Sequence, residues 1–288
     1  MPLYKPSELR QFLQEIGIHP KKAFSQNFLI DGNIIKKIVR CAEVKPGDIV
    51  LEIGPGPGAL TEELLAAGAQ VLAVEKDRNL AQALHRLDPE GGALDILEED
   101  ILDVDIEKVL GNKLGKGKRA KLIANLPYNI TTPILARFVP MQHLFESIVV
   151  MVQDEVGRRF TAVPGGSEYG SFTVFLNFYC IPEYAFTVSN NSFYPVPKVQ
   201  SAVVKLLPQP QPHVKNIDRF FMLTRTAFEQ RRKMLRGSLR KLYPSEDVVE
   251  ALVQLGKNPE ARPQELSVED FINLYHLLSA NQEKKSGQ

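Results

Sequence analysis

Apolar and polar positions alternate regularly between residues 48 and 153. Short apolar runs (DIVLEIG, AQVLAVEKD, ALDILEED, AKLIAN and ESIVVMVQD) are separated by stretches, such as ALTEELLAAG, in which apolar residues recur at helical spacing. Strands and helices that alternate in this way are typical of a parallel sheet with helices on its faces. The pattern therefore predicts an α/β fold with a Rossmann-like, doubly wound and mostly parallel sheet.

The chain on either side of this region has a different pattern. Residues 6 to 16 and a stretch from about Asp31 predict helices, and the polar and aromatic segment KKAFSQNFLID lies between them. Residues 168 to 207 predict one helix (YGSFTVFLNFYC) and then two strands (PEYAFTV and SAVVKLL) on either side of NNSFYPVPKVQ. The chain after PQPQPH predicts only helices.

These patterns predict the domain organisation. PQPQPH favours a stiff, extended linker over 208–213. We therefore predict one domain with an N-terminal helical extension over 1–207 and a smaller, all-helical domain over 214–280. The polar end NQEKKSGQ, 281–288, is predicted to be a disordered tail.

Composition limits the function classes. With 288 residues, 44% of them hydrophobic, the chain is long enough to bury the cores of both domains. No apolar run approaches the roughly 18 residues that span a bilayer, and Glu8 and Glu15 lie where a signal peptide would be apolar. We therefore expect a cytoplasmic protein without a membrane segment. The five histidines and two cysteines stand at no metal-ligand spacing, so no metal site is predicted.

Charge is distributed unevenly along the chain. The net charge is +1, but eleven Lys or Arg stand against two acidic residues between Lys198 and Lys241. The clusters RRKMLR and LRK share this stretch with three phenylalanines. Two interpretations remain open at this point: a solvated helical face, or a surface for a polyanion.

A glycine-rich turn, GPGPG (54–58), joins the first predicted strand to a helix. Such a turn lets a ligand approach the backbone at a helix N-terminus. Glu75 ends the second strand, 21 residues after Gly54, where an acid is placed to bind ribose hydroxyls, and Asp100 follows the third strand. Because the strand ends of a parallel sheet meet at one edge, these residues predict a pocket for adenosine.

The turn also favours one cofactor over another. A dinucleotide site has the spacing GxGxxG and uses backbone amides to bind pyrophosphate. GPGPG departs from that spacing, and Pro55 and Pro57 lack amide donors. An adenosine with a cationic sulfonium and an amino acid tail fits better, and such a ligand tolerates the acidic Glu52 before the turn. We therefore predict S-adenosylmethionine rather than NAD.

NLPY (125–128) follows the fourth predicted strand and shares the expected crevice. Pro127 favours an extended Leu126, whose carbonyl can point into the pocket. The side-chain oxygen of Asn125 and this carbonyl together can accept both hydrogens of an exocyclic amine, which frees the nitrogen lone pair for attack on a methyl group. Tyr128 offers a flat face for a single-stranded or flipped base. The alternative is a plain helix-entry turn with a buried tyrosine.

With EIGPGPG, VEKD, EED and NLPYNITTP in this order, the chain resembles the ribosomal RNA adenine dimethyltransferases. The resemblance runs from KKAFSQNFLID to FEQRRKMLRGSL, and NLPY together with FYPVPKVQSAV is its most specific part. It is closest to the bacterial 16S enzymes, which dimethylate two adjacent adenines near the 3′ end of the small-subunit RNA. The resemblance implies a monomer that uses S-adenosylmethionine and binds 16S rRNA within the small ribosomal subunit or its precursor.

The resemblance also implies roles for individual residues. The cofactor contacts are Gln26, Asn27, Leu29, Gly54, Gly56, Glu75, Lys76, Asp100, Ile101 and Asn125. The catalytic residues are Asn125, Leu126, Pro127, Tyr128 and Phe193, the last as a second stacking aromatic opposite Tyr128. The RNA-binding residues are Arg231, Arg232, Lys233 and Arg236. One position departs from the family pattern: Ser25 stands where a glycine is usual, which resists a positive φ and puts the closure of the loop before Asn27 in question.

Three other functions stay open. The first is the related 23S rRNA adenine methyltransferase of macrolide resistance, against which FEQRRKMLRGSL and YGSFTVF argue. The second is an adenine-specific DNA methyltransferase, for which the chain has no sizeable target-recognition domain. The third, of a different class, is a non-catalytic ribosome-assembly factor, which would have no physical need of NLPY, Glu75 and Asp100.

Overall fold

The computed structural model describes residues 3–18 and 27–286. Their contacts divide the chain into two compact units. The first contains the described residues up to Gly157 together with Ile181–Gln209, and the second contains Arg158–Cys180 together with the described residues from Pro210 onward.

The first unit is built on a sheet whose strands match the predicted apolar runs. The strands are β1 (Phe28–Leu29), β2 (Ile49–Ile53), β3 (Gln70–Glu75), β4 (Leu94–Glu98), β5 (Ala120–Asn125), β6 (Phe145–Gln153), β7 (Cys180–Val188), β8 (Phe193–Tyr194) and β9 (Ser201–Pro208). The large sheet has the order β4-β3-β2-β5-β6-β9-β7, and β1 pairs with β8 in a separate ribbon. The neighbouring strands β4–β3, β3–β2, β2–β5 and β5–β6 pair in parallel, whereas β6 and β9 pair antiparallel. The mostly parallel sheet is therefore confirmed.

Burial explains why the central strands read as continuous apolar runs. Every residue of β2 is buried, as are all residues of β5 except Asn125 at its end. Strands that are covered on both faces have no solvent side and so show no alternation. The edge strand β4 is only partly buried, which agrees with its more polar sequence LDILE.

Helices cover the sheet, and some of them begin at a side chain that caps the first turn. In the first unit they are α1 (Pro6–Glu15), α2 (Gly32–Cys41), α3 (Ala59–Ala66), α4 (Arg78–Leu84), α5 (Ile106–Gly111) and α6 (Thr131–Phe138), and α7 (Asp154–Phe160) runs into the second unit. Asp31 and Asp77 accept hydrogen bonds from the first backbone amides of α2 and α4. These two caps fix the residues at which the loops before α2 and α4 end and the helices begin.

The second unit is helical. Its helices are α8 (Ser171–Tyr179), α9 (Ile217–Phe228), α10 (Leu235–Ser238), α11 (Ser245–Gln254) and α12 (Val268–Ser286). Two features differ from the sequence-based expectation. Residues 158–180 group with this unit rather than with the domain predicted over 1–207, because aromatic rings of α8 pack on α9, as Phe178 does on Phe220 at 5.1 Å between centroids. The last helix continues to Ser286, through most of the segment predicted to be disordered.

The described segments show neither a membrane-spanning helix nor a cluster of metal ligands. None of their helices combines the length and the apolar character that a membrane span requires. Their His, Cys, Asp and Glu side chains form no group of three or more that is arranged to hold a metal ion.

Candidate active site

The candidate site lies at the carboxyl ends of the central strands. β2 has β3 on one side and β5 on the other, so the order in which successive strands are added to the sheet reverses at β2. Ligands of open α/β sheets bind at such a switch point. Gly54 follows β2, Glu75 ends β3 and Asn125 ends β5. Asp100 comes two residues after β4. The structure thus brings the four predicted strand-end residues to one edge of the sheet.

The glycine loop, residues 54–58, leaves open space for a ligand. Gly54 and Gly56 have φ values of +64° and +57°, which residues with a side chain rarely adopt. A Cβ on Gly54 would meet no heavy atom within 4 Å among the described residues, whereas a Cβ on Gly56 would lie 3.1 Å from the ring of Phe28. The loop is therefore open at Gly54 and packed at Gly56.

The Glu75 side chain holds the glycine loop through a hydrogen bond to its backbone. Its side chain is buried, and its two carboxylate oxygens accept hydrogen bonds from the backbone amides of Gly56 at 3.0 Å and Asp77 at 2.9 Å. Burial raises the pKa of the Glu75 carboxyl, and these two amide donors oppose the shift. Each oxygen keeps a further lone pair. The binding of ribose hydroxyls by Glu75 stays a prediction, and the structure adds a second role in holding the loop.

Lys76 and Asp100, both predicted to bind the cofactor, bind each other. The Lys76 ammonium lies 2.8 Å from one Asp100 oxygen, and the other Asp100 oxygen accepts the Leu102 amide at 3.0 Å. The hydrogen bond from Lys76 lowers the pKa of the Asp100 carboxyl. Ile101 is buried, and its carbonyl accepts from Arg137 at 2.7 Å. Asp100 is thus held by Lys76 and the Leu102 amide, beside the place predicted for adenine.

Glu52 is a buried acid that lies outside the predicted set of site residues. It lies in the fully buried strand β2, is 1% exposed, and its Oε2 atom accepts no hydrogen bond within the described residues. Burial raises the pKa of the Glu52 carboxyl to about 8, and the nearby Glu75 adds to the shift. A buried acceptor without a donor is costly. The sequence signal was an acid inside an otherwise apolar strand, directly before a glycine turn.

Asn125 is held in one orientation. Its side-chain nitrogen donates to the backbone carbonyl of Asn27 at 3.2 Å. This bond assigns the amide group so that Oδ1 remains as an acceptor. The structure therefore brings together Asn27 and Asn125, which are far apart in sequence, and the oxygen required by the predicted amine clamp is available.

The turn after Asn125 is fixed on both sides. The Leu126 amide donates to the carbonyl of Met151 at 3.2 Å, and the Leu126 side chain is buried. The carbonyl of Pro127 accepts from the Thr131 hydroxyl at 3.2 Å. The backbone around the Leu126 carbonyl is therefore anchored to β6 before it and to α6 after it.

Tyr128 has a partner that sequence reasoning missed. Its hydroxyl lies 2.7 Å from the Oγ atom of Ser201, a fully buried residue at the start of β9. Tyr128 is half-buried, and burial raises the pKa of its hydroxyl. The contact fixes the tilt of the ring that is predicted to stack on a base. Its sequence signal was weak, because Ser201 is one of many serines and becomes a neighbour only through the sheet.

The structure gives Phe193 different surroundings from those expected of a stacking residue. β8 pairs with β1 so that Phe193 stands opposite Leu29, and both side chains belong to the apolar core. Phe193 is 1% exposed and so presents no free face to a base in this arrangement. The antiparallel pairing explains the difference, because it directs the ring inward. Gln26 and Ser25 lie outside the described residues.

Arg231, predicted to bind RNA, is engaged within the second unit. Its guanidinium group donates to the backbone carbonyls of Ser167 at 2.6 Å and Gly166 at 3.4 Å. It is half-buried. These bonds tie the loop before α8 to the segment after α9, which is a structural role that the sequence did not indicate.

The other predicted RNA-binding cations are more accessible. Arg236 lies 3.5 Å from a carboxylate oxygen of Glu260. Arg232 and Lys233 are exposed, and neither side chain has a hydrogen bond or ion pair with another described residue. The structure thus divides the predicted set into paired residues and two unpaired cations.

The sheet order and the strand-end site define a Rossmann-like domain of the class I methyltransferase type. The model of the ribosomal RNA adenine dimethylase family matches residues 18–280, and the chain belongs to this family. Its curated relatives include proteins named ribosomal RNA small subunit methyltransferase A. The one from Protochlamydia amoebophila is 57% identical, with 98% of this chain and 99% of the relative covered. The one from Chlamydia trachomatis is 47% identical, with 94% and 96% covered.

Solved structures agree with this assignment. The chain is similar to a dimethyladenosine transferase from Plasmodium falciparum, with a TM-score of 0.74 and 28% identity over 89% of this chain and 98% of the other. It is also similar to the 23S rRNA methyltransferase ErmE, with a TM-score of 0.67 and 27% identity over 88% and 100%. The protein is therefore an enzyme of the rRNA adenine dimethyltransferase family, and the non-catalytic assembly factor is not supported.

Proposed function

We propose that the protein transfers methyl groups from S-adenosylmethionine to the exocyclic 6-amino group of two adjacent adenines near the 3′ end of 16S rRNA, giving dimethyladenosines. The observation that carries this proposal is the bond from Asn125 to the Asn27 carbonyl, which leaves Oδ1 as an acceptor beside the glycine loop. An acceptor there suits an amine, and among the bases that bear one the family assignment favours adenine.

The residues present fit S-adenosylmethionine. The bound cofactor supplies a methyl group on a positively charged sulfur. Glu52 is a buried acid shortly before the glycine loop whose Oε2 atom has no hydrogen-bond partner among the described residues, and its raised pKa leaves it mostly protonated near neutral pH, so it does not oppose the binding of a ligand there. The open space at Gly54 lets such a ligand lie against the backbone. We expect Glu75 and Asp100 to hold its ribose and adenine, and Asn27 to lie beside it.

The clamp on the amine explains how the residues promote transfer. For the first methyl group, Asn125 Oδ1 and the Leu126 carbonyl would accept the two hydrogens of the adenine amine and hold them out of the ring plane. For the second methyl group, the amine has one hydrogen left, which one of the two oxygens would accept. The nitrogen lone pair is then no longer delocalised into the ring and points toward the methyl donor. The nitrogen–carbon bond would form as the carbon–sulfur bond of the cofactor breaks and leaves an uncharged thioether, so no strong base is needed before attack. The methylated nitrogen would then lose one proton to water. Orientation and fixed dipoles therefore provide most of the rate enhancement.

Base selection follows from the same pocket. Tyr128, held by Ser201, presents a ring on which a base can stack for about 1–3 kcal/mol. A base inside a duplex does not reach such a pocket, so the target adenines are single-stranded or flipped out. A base without the amine would leave both acceptors unpaired and is expected to be rejected strongly.

We propose that the partner is 16S rRNA in the small ribosomal subunit or its precursor. The names of the curated relatives support the small subunit. The unpaired Arg232 and Lys233 supply cations for phosphates, which provide most RNA affinity. We further propose that the enzyme acts as a monomer in the cytoplasm, where ribosomal subunits are assembled.

A second candidate is methylation of 23S rRNA, which the similarity to ErmE suggests. The test is to incubate the protein with labelled S-adenosylmethionine and immature small subunits, large subunits or DNA, and to map the labelled nucleotides. We expect label on two adjacent adenines of small-subunit RNA. Label on a large-subunit adenine would assign the protein to the second candidate.

A further inference from the structure

Helix α1 and the glycine loop are joined by one side chain, Arg86. Arg86 follows α4 in a short 3-10 helix (His85–Leu87). One guanidinium nitrogen donates to the Pro57 carbonyl at 2.6 Å, and another donates to the Ala83 carbonyl at 2.9 Å. A hydrogen bond from a charged donor is roughly twice as strong as one between neutral groups. Arg86 therefore fixes a carbonyl in the middle of the glycine loop.

The same guanidinium group lies against α1. Its central carbon is 4.6 Å from the centre of the Phe12 ring. A cation over an aromatic face is attracted by the ring, and the planar guanidinium group also stacks on it. The guanidinium group of Arg86 thus lies over the Phe12 ring of α1 and contacts the glycine loop with one of its N–H groups.

A second, apolar connection leads from α1 to the same loop. Leu9 and Leu13 of α1 share an apolar cluster with Phe28. The Phe28 ring lies 3.1 Å from the position that a Cβ on Gly56 would take. α1 is therefore connected to the glycine loop at Pro57 through Arg86 and at Gly56 through Phe28.

We infer that α1 is part of the cofactor site, with Arg86 as the positioning residue through which it fixes the glycine loop. The inference rests on the proposed function, in which this loop binds S-adenosylmethionine. Arg86 does not touch the reacting atoms. It holds Pro57 in place before the ligand arrives, and a loop that is ordered in advance binds at a lower entropic cost. Removing Arg86 should therefore weaken cofactor binding and leave the chemical step unchanged.

The test measures S-adenosylmethionine binding by calorimetry and steady-state kinetics on the full chain. For Arg86→Gln we expect the Kd and KM for S-adenosylmethionine to rise about tenfold while kcat stays within about twofold. Arg86→Lys keeps the charge but loses the planar fork, so its effect should be intermediate. Phe12→Leu keeps apolar volume and removes the aromatic face, for which we expect a rise of about threefold.

Two control variants distinguish a loss of the connection between α1 and the glycine loop from a general loss of structure. Arg78→Gln removes a cation of α4 whose side chain is 74% exposed, and its constants should equal those of the wild type. The double variant Arg86→Gln with Phe12→Leu should bind no more weakly than Arg86→Gln alone, because the cation–aromatic contact is already lost. Hydrogen exchange of the cofactor-free protein gives a readout without turnover: α1 and residues 54–58 should lose protection together in Arg86→Gln.

The inference would be overturned by a Kd for S-adenosylmethionine within about twofold of wild type in Arg86→Gln, or by a loss confined to kcat. Increased exchange in α1 alone, without change in the glycine loop, would also contradict it. If the wild type binds S-adenosylmethionine but does not methylate small-subunit RNA, the proposed substrate is wrong while the role of Arg86 stands.

Discussion

The crevice at the strand ends and the basic segment 231–236 differ in how their side chains are held. In the crevice, Glu75, Asn125 and Tyr128 each form hydrogen bonds that fix their orientation. In the basic segment, Arg232 and Lys233 are exposed without a partner among the described residues. We interpret this difference through the roles proposed for the two regions. Methyl transfer requires fixed angles, whereas phosphate binding requires charge that no other group has neutralised.

The largest effect is expected from Asn125→Ala in the crevice. The substitution removes one of the two acceptors of the proposed amine clamp. We expect kcat to fall about a hundred- to a thousandfold, as when a fixed polar group that stabilises a transition state is removed. The measurement is the rate of label transfer to small subunits, with circular dichroism to verify the fold.

Asn112→Ala is the matched control, because Asn112 is an exposed asparagine at the end of α5. It should retain the wild-type rate. A rate for Asn125→Ala close to that of Asn112→Ala would show that no amine clamp operates.

The next largest effect is expected in the basic segment. Replacing Arg232 and Lys233 together by Gln should weaken binding to small subunits and reduce the slope of log affinity against log salt by about 1.5, since each phosphate contact contributes about 0.7–0.9. Affinity for S-adenosylmethionine should not change. The measurement is a binding titration at several salt concentrations.

Arg231→Gln sharpens the comparison within the same segment. The Arg231 guanidinium group already binds two backbone carbonyls. Its loss should leave the salt slope unchanged, even if the loop before α8 is loosened. A slope that falls as much for Arg231→Gln as for Arg232→Gln would mean that the contacts within the second unit do not distinguish these residues.

A smaller effect is expected from Ser201→Ala. The serine holds the Tyr128 hydroxyl, and one hydrogen bond contributes about 1 kcal/mol, so kcat/KM should fall about fivefold. Tyr128→Phe should cost a similar amount, and the double variant should cost little more than either single variant. Fully additive losses in this double-mutant cycle would exclude a functional bond between the two hydroxyls.

The smallest effect concerns pH and Glu52. Its pKa is about 8 in the folded chain without cofactor, against 4.5 for an ordinary glutamate. Between these values the folded state binds more protons than the unfolded state, so stability should decline as pH rises through this window. Scanning calorimetry of Glu52→Gln should show a weaker dependence of Tm on pH. Equal dependence in both proteins would contradict the raised pKa.

Much of the fold followed from local pattern. The predicted parallel strands are present because fully buried strands need continuous apolar runs, and GPGPG, Glu75 and Asn125 converge because parallel strands end at one edge. The bond from Asn125 to Asn27 agrees with the predicted amine clamp, although the clamp itself remains a prediction.

Other features depend on contacts that sequence does not display. Ser201 reaches Tyr128 only because β9 returns beside β6. The burial of Phe193 follows from its antiparallel pairing with β1, which a two-residue strand does not reveal in sequence. Likewise, RRK does not disclose that its first arginine binds a distant loop. In each case a partner far along the chain decides the role of the side chain.

Two oxygens at the NLPY turn are proposed to hold the adenine amine. A crystal structure of the protein with S-adenosylmethionine and an adenine-containing oligonucleotide would show whether they do. We predict that Asn125 Oδ1 and the Leu126 carbonyl oxygen both lie about 2.7–3.2 Å from the adenine 6-amino nitrogen, at hydrogen-bond distance. An adenine whose amine faces away from residue 125 while the cofactor is bound would contradict the account.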